Sequence, residues 1–407
     1  MLSSMKDDQM AIPHLFRCPI SLDLFTDPVT LCTGQTYDRS SIEKWLAAGN
    51  LTCPVTMQRL HDPSLVPNHT LRHLIDQWLC MDHSFDPDYL KTIDPDLSLT
   101  TLKHKLESQE VTLATKIGAV GKLEVLSKDL AWRSGLIQLN FFPLILRLFF
   151  VKFTQQANLD QEDSELAEGA LTCILNMFPF SKLCSLNMLK EDSNLASFLV
   201  LLDHGTAKIK TSLCHLVGLI ASSSETRDLC VVFGQNPKIL RGLITLLHQN
   251  SEASNAAVKA ISALCYLELN QENVVTEGGV DGLIAYISGT NISQSSMALA
   301  TLELLLGLES GKKAAVNNPS TVHALVKMVF RVSDHEGSEN AVGSLLIICY
   351  DSLKVREEAI SAGVLTQLLL LLQSQCSCRS KNKARVLLKL LRSMWAESPS
   401  ASAVWPS

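Results

Sequence analysis

The feature that most limits what this chain can become is a cassette recurring along its C-terminal three quarters. Each copy has a small or turn-forming residue, an apolar helix start, and then four or five closely spaced aliphatic residues. The clearest copies are GGVDGLIAYI from Gly278 and AGVLTQLLLLL from Ala362, with weaker copies from Asn140, Glu191, Asn236 and Asn318. Their aliphatic clusters open at Leu144, Phe198, Leu243, Leu283, Leu325 and Leu368, at intervals of 54, 45, 40, 42 and 43 residues. Helical patterns such as Ala256 to Leu267, Ser296 to Leu308 and Asn340 to Tyr350 lie between them. The longest interval contains the polar segment Thr154 to Glu165, a loop or a lengthened helix start.

A period of ~40 to 47 residues built from two or three helices is the signature of armadillo or HEAT repeats. No such unit buries its apolar face alone, so neighbours must stack into one continuous core with a curved surface. The composition agrees, because 46% of residues are hydrophobic and only 6% aromatic, which leaves Leu, Ile, Val and Ala to fill the interior. About six units are expected, with a degenerate one at Thr112 to Leu130 capping one end and the helix Ala384 to Trp395 capping the other. The Gly before several clusters supplies the tight bend between helices.

A net charge of -6 gives no general attraction for nucleic acid or anionic membranes. The twelve cysteines lie mostly in apolar runs and read as reduced core residues, which places the chain in the cytosol, with the nucleus as an alternative. The opening MLSSMKDDQM has neither a basic start nor an apolar run, so no secretory signal is expected. The most apolar stretch, Phe141 to Val151, contains Pro143 and Arg147 and is about half the ~20 residues of a membrane helix, so no membrane span is expected.

Residues Ile12 to Cys80 have a different texture, with Pro13, Pro19, Pro28, Pro54, Pro63 and Pro67 separating short apolar runs. Turn signals at Asp27-Pro28 and Cys32-Thr33-Gly34 bracket a short strand, Val29 to Leu31. Ser40-Ser41-Ile42-Glu43 has capping-box spacing for a short helix that Gly49-Asn50 stops, and Asn68 can cap a second helix through Leu71, Leu74, Ile75, Trp78 and Leu79. A compact mixed α/β module follows. The Asp- and Pro-rich run 82–98 reads as an exposed connection. The expected division is 10–82 for the module, 83–99 for a linker, 100–396 for the repeats and 397–407 for a tail.

Three readings of the module compete: a zinc cross-brace, a catalytic domain and a metal-free docking module. Cys18, Cys32, Cys53 and Cys80 accompany His14, His61, His69 and His73, yet no two cysteines are two to four apart, which argues against structural zinc. No G-x-S-x-G or comparable nucleophile motif is present. Neither metal nor cofactor is called for.

The ordered set Ile12-Pro13, Phe16-x-Cys18-Pro19-Ile20, Asp27-Pro28-Val29, Gly34 to Arg39, Ile42-Glu43-x-Trp45-Leu46, Cys53-Pro54-x-Thr56 and Pro67-Asn68-x-x-Leu71-Arg72 resembles the U-box. That family is a metal-free relative of the RING domain, its zinc sites replaced by hydrogen bonds, salt bridges and packing. With the repeats behind it, the chain resembles the plant U-box and armadillo ubiquitin ligases. The fold class implied is mainly α, a small α+β U-box followed by an armadillo α-solenoid.

The resemblance implies that the U-box docks a ubiquitin-conjugating enzyme carrying ubiquitin, with Ile20 and Leu22 from a first loop, Trp45 from the helix and Pro54 from a second loop. It also implies that no residue is a covalent nucleophile, that the repeats hold protein substrates or kinases, that a homodimer is allowed, and that the pathway is stress or defence signalling. Met57 departs from the pattern, because it stands where some RING-class members carry a cationic or polar residue that holds ubiquitin, a role open here to Gln58 or Arg59. A non-catalytic scaffold with a weakened U-box is therefore the alternative. In the repeats no Trp is followed four positions later by Asn, which argues against the ladders of importin-type armadillo proteins. The stretch Lys381, Lys383, Arg385, Lys389 and Arg392 reads as a solvated end cap, and Cys376 and Cys378 as loop residues.

Overall fold

The computed structural model describes residues 14–72, 74–75, 99–108, 110–128, 130–152, 160–178, 183–249, 251–289, 294–332 and 334–397. The chain divides into two compact units, Met1–Tyr89 and Leu90–Ser407.

In the first unit β1 (Pro28–Thr30), β2 (Thr36–Asp38) and β3 (Val66–Pro67) form an antiparallel sheet in the order β2-β1-β3, with Val29 opposite both Tyr37 and Pro67. Gly34, at φ 80, lets the hairpin reverse direction, and Leu31 N donates to Gln35 O at 2.9 Å to close it. Helix α1 (Arg39–Ala47) follows β2 directly and stops at Gly49, whose φ of 85 gives the left-handed exit that the sequence suggests. The capping box expected at Ser40 is displaced, because the helix starts two residues earlier with Asp38 at the N-cap. The Asp38 carboxylate serves other donors, described below. Asn68 does cap the chain after β3, its Oδ1 accepting from Leu71 N at 3.0 Å while its Nδ2 reaches Thr30 and Thr36 of the hairpin. The core comprises Cys18, Phe25, Val29, Leu31, Tyr37, Ile42, Cys53, Leu60 and Ile75. The continuation of the second helix through Trp78 and Leu79, and the 82–98 connection, lie outside the described residues.

The second unit begins with Leu99–Glu107 and Leu113–Lys128, then repeats one pattern of three helical segments six times among the described residues. A first segment leads into a middle helix, and a third helix packs beside the third helix of the neighbouring unit. One complete unit is Glu268–Thr276, Gly279–Ser288 and Ser295–Leu305, and its neighbour is Glu309–Asn317, Thr321–Met328 and His335–Asp351. The bends into the middle helices use left-handed residues where the sequence offers them: Gly278 at φ 91, Gly363 at φ 85 and Asn140 at φ 58. Asparagine is the side-chain-bearing residue that tolerates that region best. The bend at Asn236 works differently, its side chain capping Lys238 N and Ile239 N ahead of Pro237.

Polar contacts recur between units with the spacing of the repeat. Glu168 accepts from Thr206, Lys190 pairs with Asp228, Glu272 accepts from Ser310 and Glu339 accepts from Ser377, each 38 residues away. Beneath them the interior is aliphatic and sealed, with Leu243, Leu283, Leu325 and Leu368 at 0% exposure, one from each of four consecutive middle helices.

The last helix, Cys378–Glu397, starts six residues before the expected Ala384, so Cys378 is helical rather than a loop residue. Ser377 caps it through Ser380 N at 3.0 Å, and Arg379 and Lys383 pair with Glu339 and Glu303 on the two preceding third helices. Those ion pairs stabilise two turns that contain no apolar periodicity. Among the described residues no helix is long and apolar enough to cross a membrane.

Candidate functional site

Residues 16–25 and 51–60 fold alike. In the first loop Cys18 N donates to Asp23 O at 2.8 Å, Leu22 N to Cys18 O at 2.8 Å and Phe25 N to Phe16 O at 2.9 Å. In the second, Cys53 N donates to Gln58 O at 2.8 Å, Met57 N to Cys53 O at 2.9 Å and Leu60 N to Leu51 O at 2.9 Å. The bridges Arg17–Leu24 and Thr52–Arg59 close the two loops at equivalent places. The sequences match too, Cys-Pro-Ile-Ser-Leu at 18–22 and Cys-Pro-Val-Thr-Met at 53–57. At the fifth position Leu22 and Met57 take φ of 63 and 58. A long side chain in the left-handed region costs about 1 kcal/mol or more, and the loop-closing bonds hold it there.

Both loops hang from consecutive residues of β2. The Tyr37 hydroxyl lies 3.0 Å from Cys53 Sγ and accepts from Val55 N at 3.2 Å. Asp38 N donates to Cys18 Sγ at 3.3 Å. The Asp38 carboxylate then accepts from Thr26 N at 2.7 Å, Thr26 Oγ1 at 2.8 Å, Asp27 N at 2.8 Å and Ser40 Oγ at 2.9 Å. Arg39 extends this hub through Asp27 Oδ2 at 2.6 Å, and Arg72 donates to Thr26 O.

The charge states follow from these contacts. Burial raises the Asp38 carboxyl, but the donors of Asp27, Thr26 and Ser40 outweigh it and hold the group below the ordinary carboxylate range. Burial likewise raises Cys53, and the neighbouring hydroxyls of Thr33, Thr56 and Tyr37 bring it down to about 6. Cys18 is lowered in the same way against its burial, through Asp38, Ser21 and Ile20. Tyr37 is raised, first by burial and then by Cys53, so the phenol keeps its proton and donates it towards the sulfur. Among the described residues no group of three or more His, Cys, Asp or Glu gathers as metal ligands would. Polar hubs fix each loop.

Around this frame the expected site residues take distinct places. Ile20 is 36% exposed, Leu22 65% and Met57 68%, while Pro54 is half-buried. Trp45 is also half-buried, packed against the core, and its Nε1 donates to Thr52 O at 2.8 Å. That bond brings the helix and the second loop together. The first loop is tied to the same core through Cys18. Gln58 and Arg59 are both exposed, and their backbones are engaged in closing the loop. Val55, 51% exposed, is a further apolar loop residue that the sequence reading passed over. The signal was present, because Val55 occupies in the second Cys-Pro run the place Ile20 occupies in the first.

Large aliphatic side chains left in water at loop tips forgo about 1.5–3 kcal/mol each relative to full burial, which a partner surface can recover. The arrangement suits docking of another protein. The two cysteine sulfurs are sealed, both residues at 0% exposure.

Comparison with known proteins matches residues 12–84 to the U-box domain and residues 99–404 to the plant U-box protein ARM repeat region. U-box domain-containing protein 26 of Arabidopsis thaliana is 34% identical, over 95% of this chain and 93% of its own length. E3 ubiquitin-protein ligase PUB23 of Arabidopsis thaliana is 28% identical, over 98% of this chain and 97% of its own length. The crystal structure of SYS-1 superposes with a TM-score of 0.56 at 13% identity, over 83% of this chain and 65% of that one, a likeness of fold alone.

Proposed function

We propose, from the premise that this chain belongs to the plant U-box proteins that carry an ARM repeat region, that it is a ubiquitin ligase joining a conjugating enzyme to a protein client. The U-box receives the conjugating enzyme on Ile20, Leu22, Trp45, Pro54 and Met57, with Val55 added by the loop duplication. The repeats hold the client. Relatives named as E3 ubiquitin-protein ligases support the activity. The observation that carries the docking role is the pair of matching loops, which expose Leu22 and Met57 while rigid polar hubs hold their backbones.

The mechanism is positional. Ubiquitin stays as a thioester on the conjugating enzyme, whose carbonyl carbon is attacked by a client lysine amine, and the cysteine thiol leaves. The ligase contributes proximity and orientation, not a nucleophile. Cys18 and Cys53 are too deeply buried to meet a thioester on another protein. A setting in stress or defence signalling rests on the family resemblance, and one in the cytosol on the reading of the cysteines as reduced.

A reconstituted reaction with purified conjugating enzyme tests this reading. Chain formation that depends on the full chain is the expected result, and Trp45→Phe, which loses the Nε1 donor and part of the aromatic surface, retains part of it. No chain formation with conjugating-enzyme binding intact would favour the second reading, a scaffold with a weakened U-box. One observation motivates that reading: Met57 presents an uncharged, 68% exposed side chain at the position expected to hold ubiquitin. Under it, Met57→Arg raises transfer, since Arg tolerates the same backbone as Met.

A further inference from the structure

The Cys378–Glu397 helix carries its cations on two stripes with different surroundings. Lys383 points into the stack, its Nζ 2.7 Å from Glu303, and the exposed Arg379 reaches Glu339 with its Nε at 3.0 Å. Gly343 leaves room for the Glu303 carboxylate, which a Cβ there would meet at 2.2 Å. Arg385, Lys389 and Arg392 form the other stripe. Among the described residues none of these three has a carboxylate within ion-pair distance, and Arg385 Nη1 donates only to Asn382 Oδ1 at 3.0 Å. Together with Leu369, Leu388 and Ser393 they line an open groove of about 610 Å³ between this helix and Val364–Gln373. Leu369 is 54% exposed there.

We propose that this groove docks an acidic amphipathic helix of a protein partner. The three cations sit at i, i+4 and i+7 and span about 10 Å of helix axis. A second helix laid alongside, with Asp or Glu at the same spacing, meets all three, and a leucine on the same face reaches Leu369 and Leu388. On a chain whose net charge is -6, an unneutralised basic stripe favours an acidic ligand locally. Exposed ion pairs alone contribute little, so the apolar groove supplies the affinity and the cations the orientation. An anionic membrane is the less suitable partner. Interfacial binding needs an apolar face that sinks ~5–10 Å into the lipid boundary, and these leucines line a groove flanked by charge. Lys383, covered and paired, departs from the solvated end-cap reading of this stretch, whereas Arg385, Lys389 and Arg392 are exposed as that reading expects, and the proposal gives this outer stripe a partner.

The test uses the full chain and a fluorescently labelled 18-residue synthetic peptide with Glu at i, i+4 and i+7 and Leu beside them. Controls are a peptide of the same composition in scrambled order and vesicles of phosphatidylserine and phosphatidylcholine. Anisotropy is expected to show saturable binding that weakens as salt rises. The triple variant R385E/K389E/R392E weakens it by at least about tenfold, and Leu369→Ala weakens it about threefold. Circular dichroism melting is unchanged in both variants, because the substituted side chains lie on the surface. Equal binding of the scrambled peptide, unchanged binding by the triple variant, or binding only to vesicles would overturn the proposal. No conjugating enzyme is present, so failure here is distinct from failure of ubiquitin transfer.

Discussion

The two units of this chain bury their interiors by different means. In the U-box, Tyr37 and Asp38 hold both loops, and a few polar contacts do what a metal ion does in a cross-braced fold. In the helical stack each unit adds another layer of Leu, Ile and Val. There the polar contacts between units, such as Glu272 with Ser310, are spread along the array. A hub concentrates stability in single residues and makes it depend on protonation. A stack spreads stability over neighbours and makes it depend on packing. The hub suits a surface that must present a few side chains in one fixed geometry.

The largest break in this contrast is expected from Asp38→Ala. It removes a buried carboxylate that serves four donors and leaves two backbone N–H groups without their partner, a loss of about 4 kcal/mol. Hydrogen exchange read segment by segment is expected to rise across residues 16–60 and stay unchanged in the stack. Leu283→Ala, at a fully buried position of one middle helix, is expected to cost about 2–4 kcal/mol. Its exchange signature falls on that unit and its two neighbours, with the U-box untouched. Loss of protection throughout the chain in either variant would contradict the division of labour.

Tyr37→Phe is smaller. It removes one hydroxyl from Cys53 and Val55 N and is expected to cost about 1–3 kcal/mol, with the second loop exchanging faster than the first.

The pH dependence sharpens the same comparison. Cys53 is depressed to about 6 when folded from a reference of 9.0, so between these values the unfolded chain carries the extra proton and U-box stability rises with pH. That contribution is lost as pH falls through about 6. Cys173, Cys214, Cys265 and Cys349 in the stack are instead pushed up to about 12 by burial. Their contribution is intact below pH 9 and lost as pH rises towards 12. Protection of residues 16–60 is therefore expected to increase from pH 6 to 9, after correction for intrinsic exchange, and Cys53→Ala reduces the increase to the part owed to the likewise lowered Cys18. A flat profile in the wild-type chain would refute the hub's charge state. As pH falls below the ordinary carboxylate range the depressed Asp38 carboxyl takes up its proton, its contribution is lost, and the first loop loosens as well.

Much of the stack was legible because its interior is written in one alphabet. A cluster of aliphatics every 42 or so residues implies the middle helices, and Gly278 and Gly363 mark their bends. The start of the last helix was not legible, since Arg379, Lys383 and the Ser377 cap stabilise it through partners on earlier units. The reverse holds in the U-box. Its elements are short, its order came from a resemblance, and local patterns misassigned Ser40 as the helix cap while Asp38 held that place. The duplicated Cys-Pro loop lay in plain sequence, but five matching residues carry no periodicity. Its meaning emerges from the equivalent hydrogen bonds and from the shared left-handed Leu22 and Met57.

The central claim is that the U-box exposes apolar loop residues for a conjugating enzyme while its hubs hold the fold. The most direct test compares wild type with Ile20→Ala in single-turnover discharge of a ubiquitin-loaded conjugating enzyme. Ile20 is 36% exposed, so its truncation is expected to cost about 1 kcal/mol and leave the module folded. The predicted result is discharge reduced to the rate measured without ligase, with the module still folded by segment-resolved exchange. Discharge at the wild-type rate by the folded variant would contradict the account.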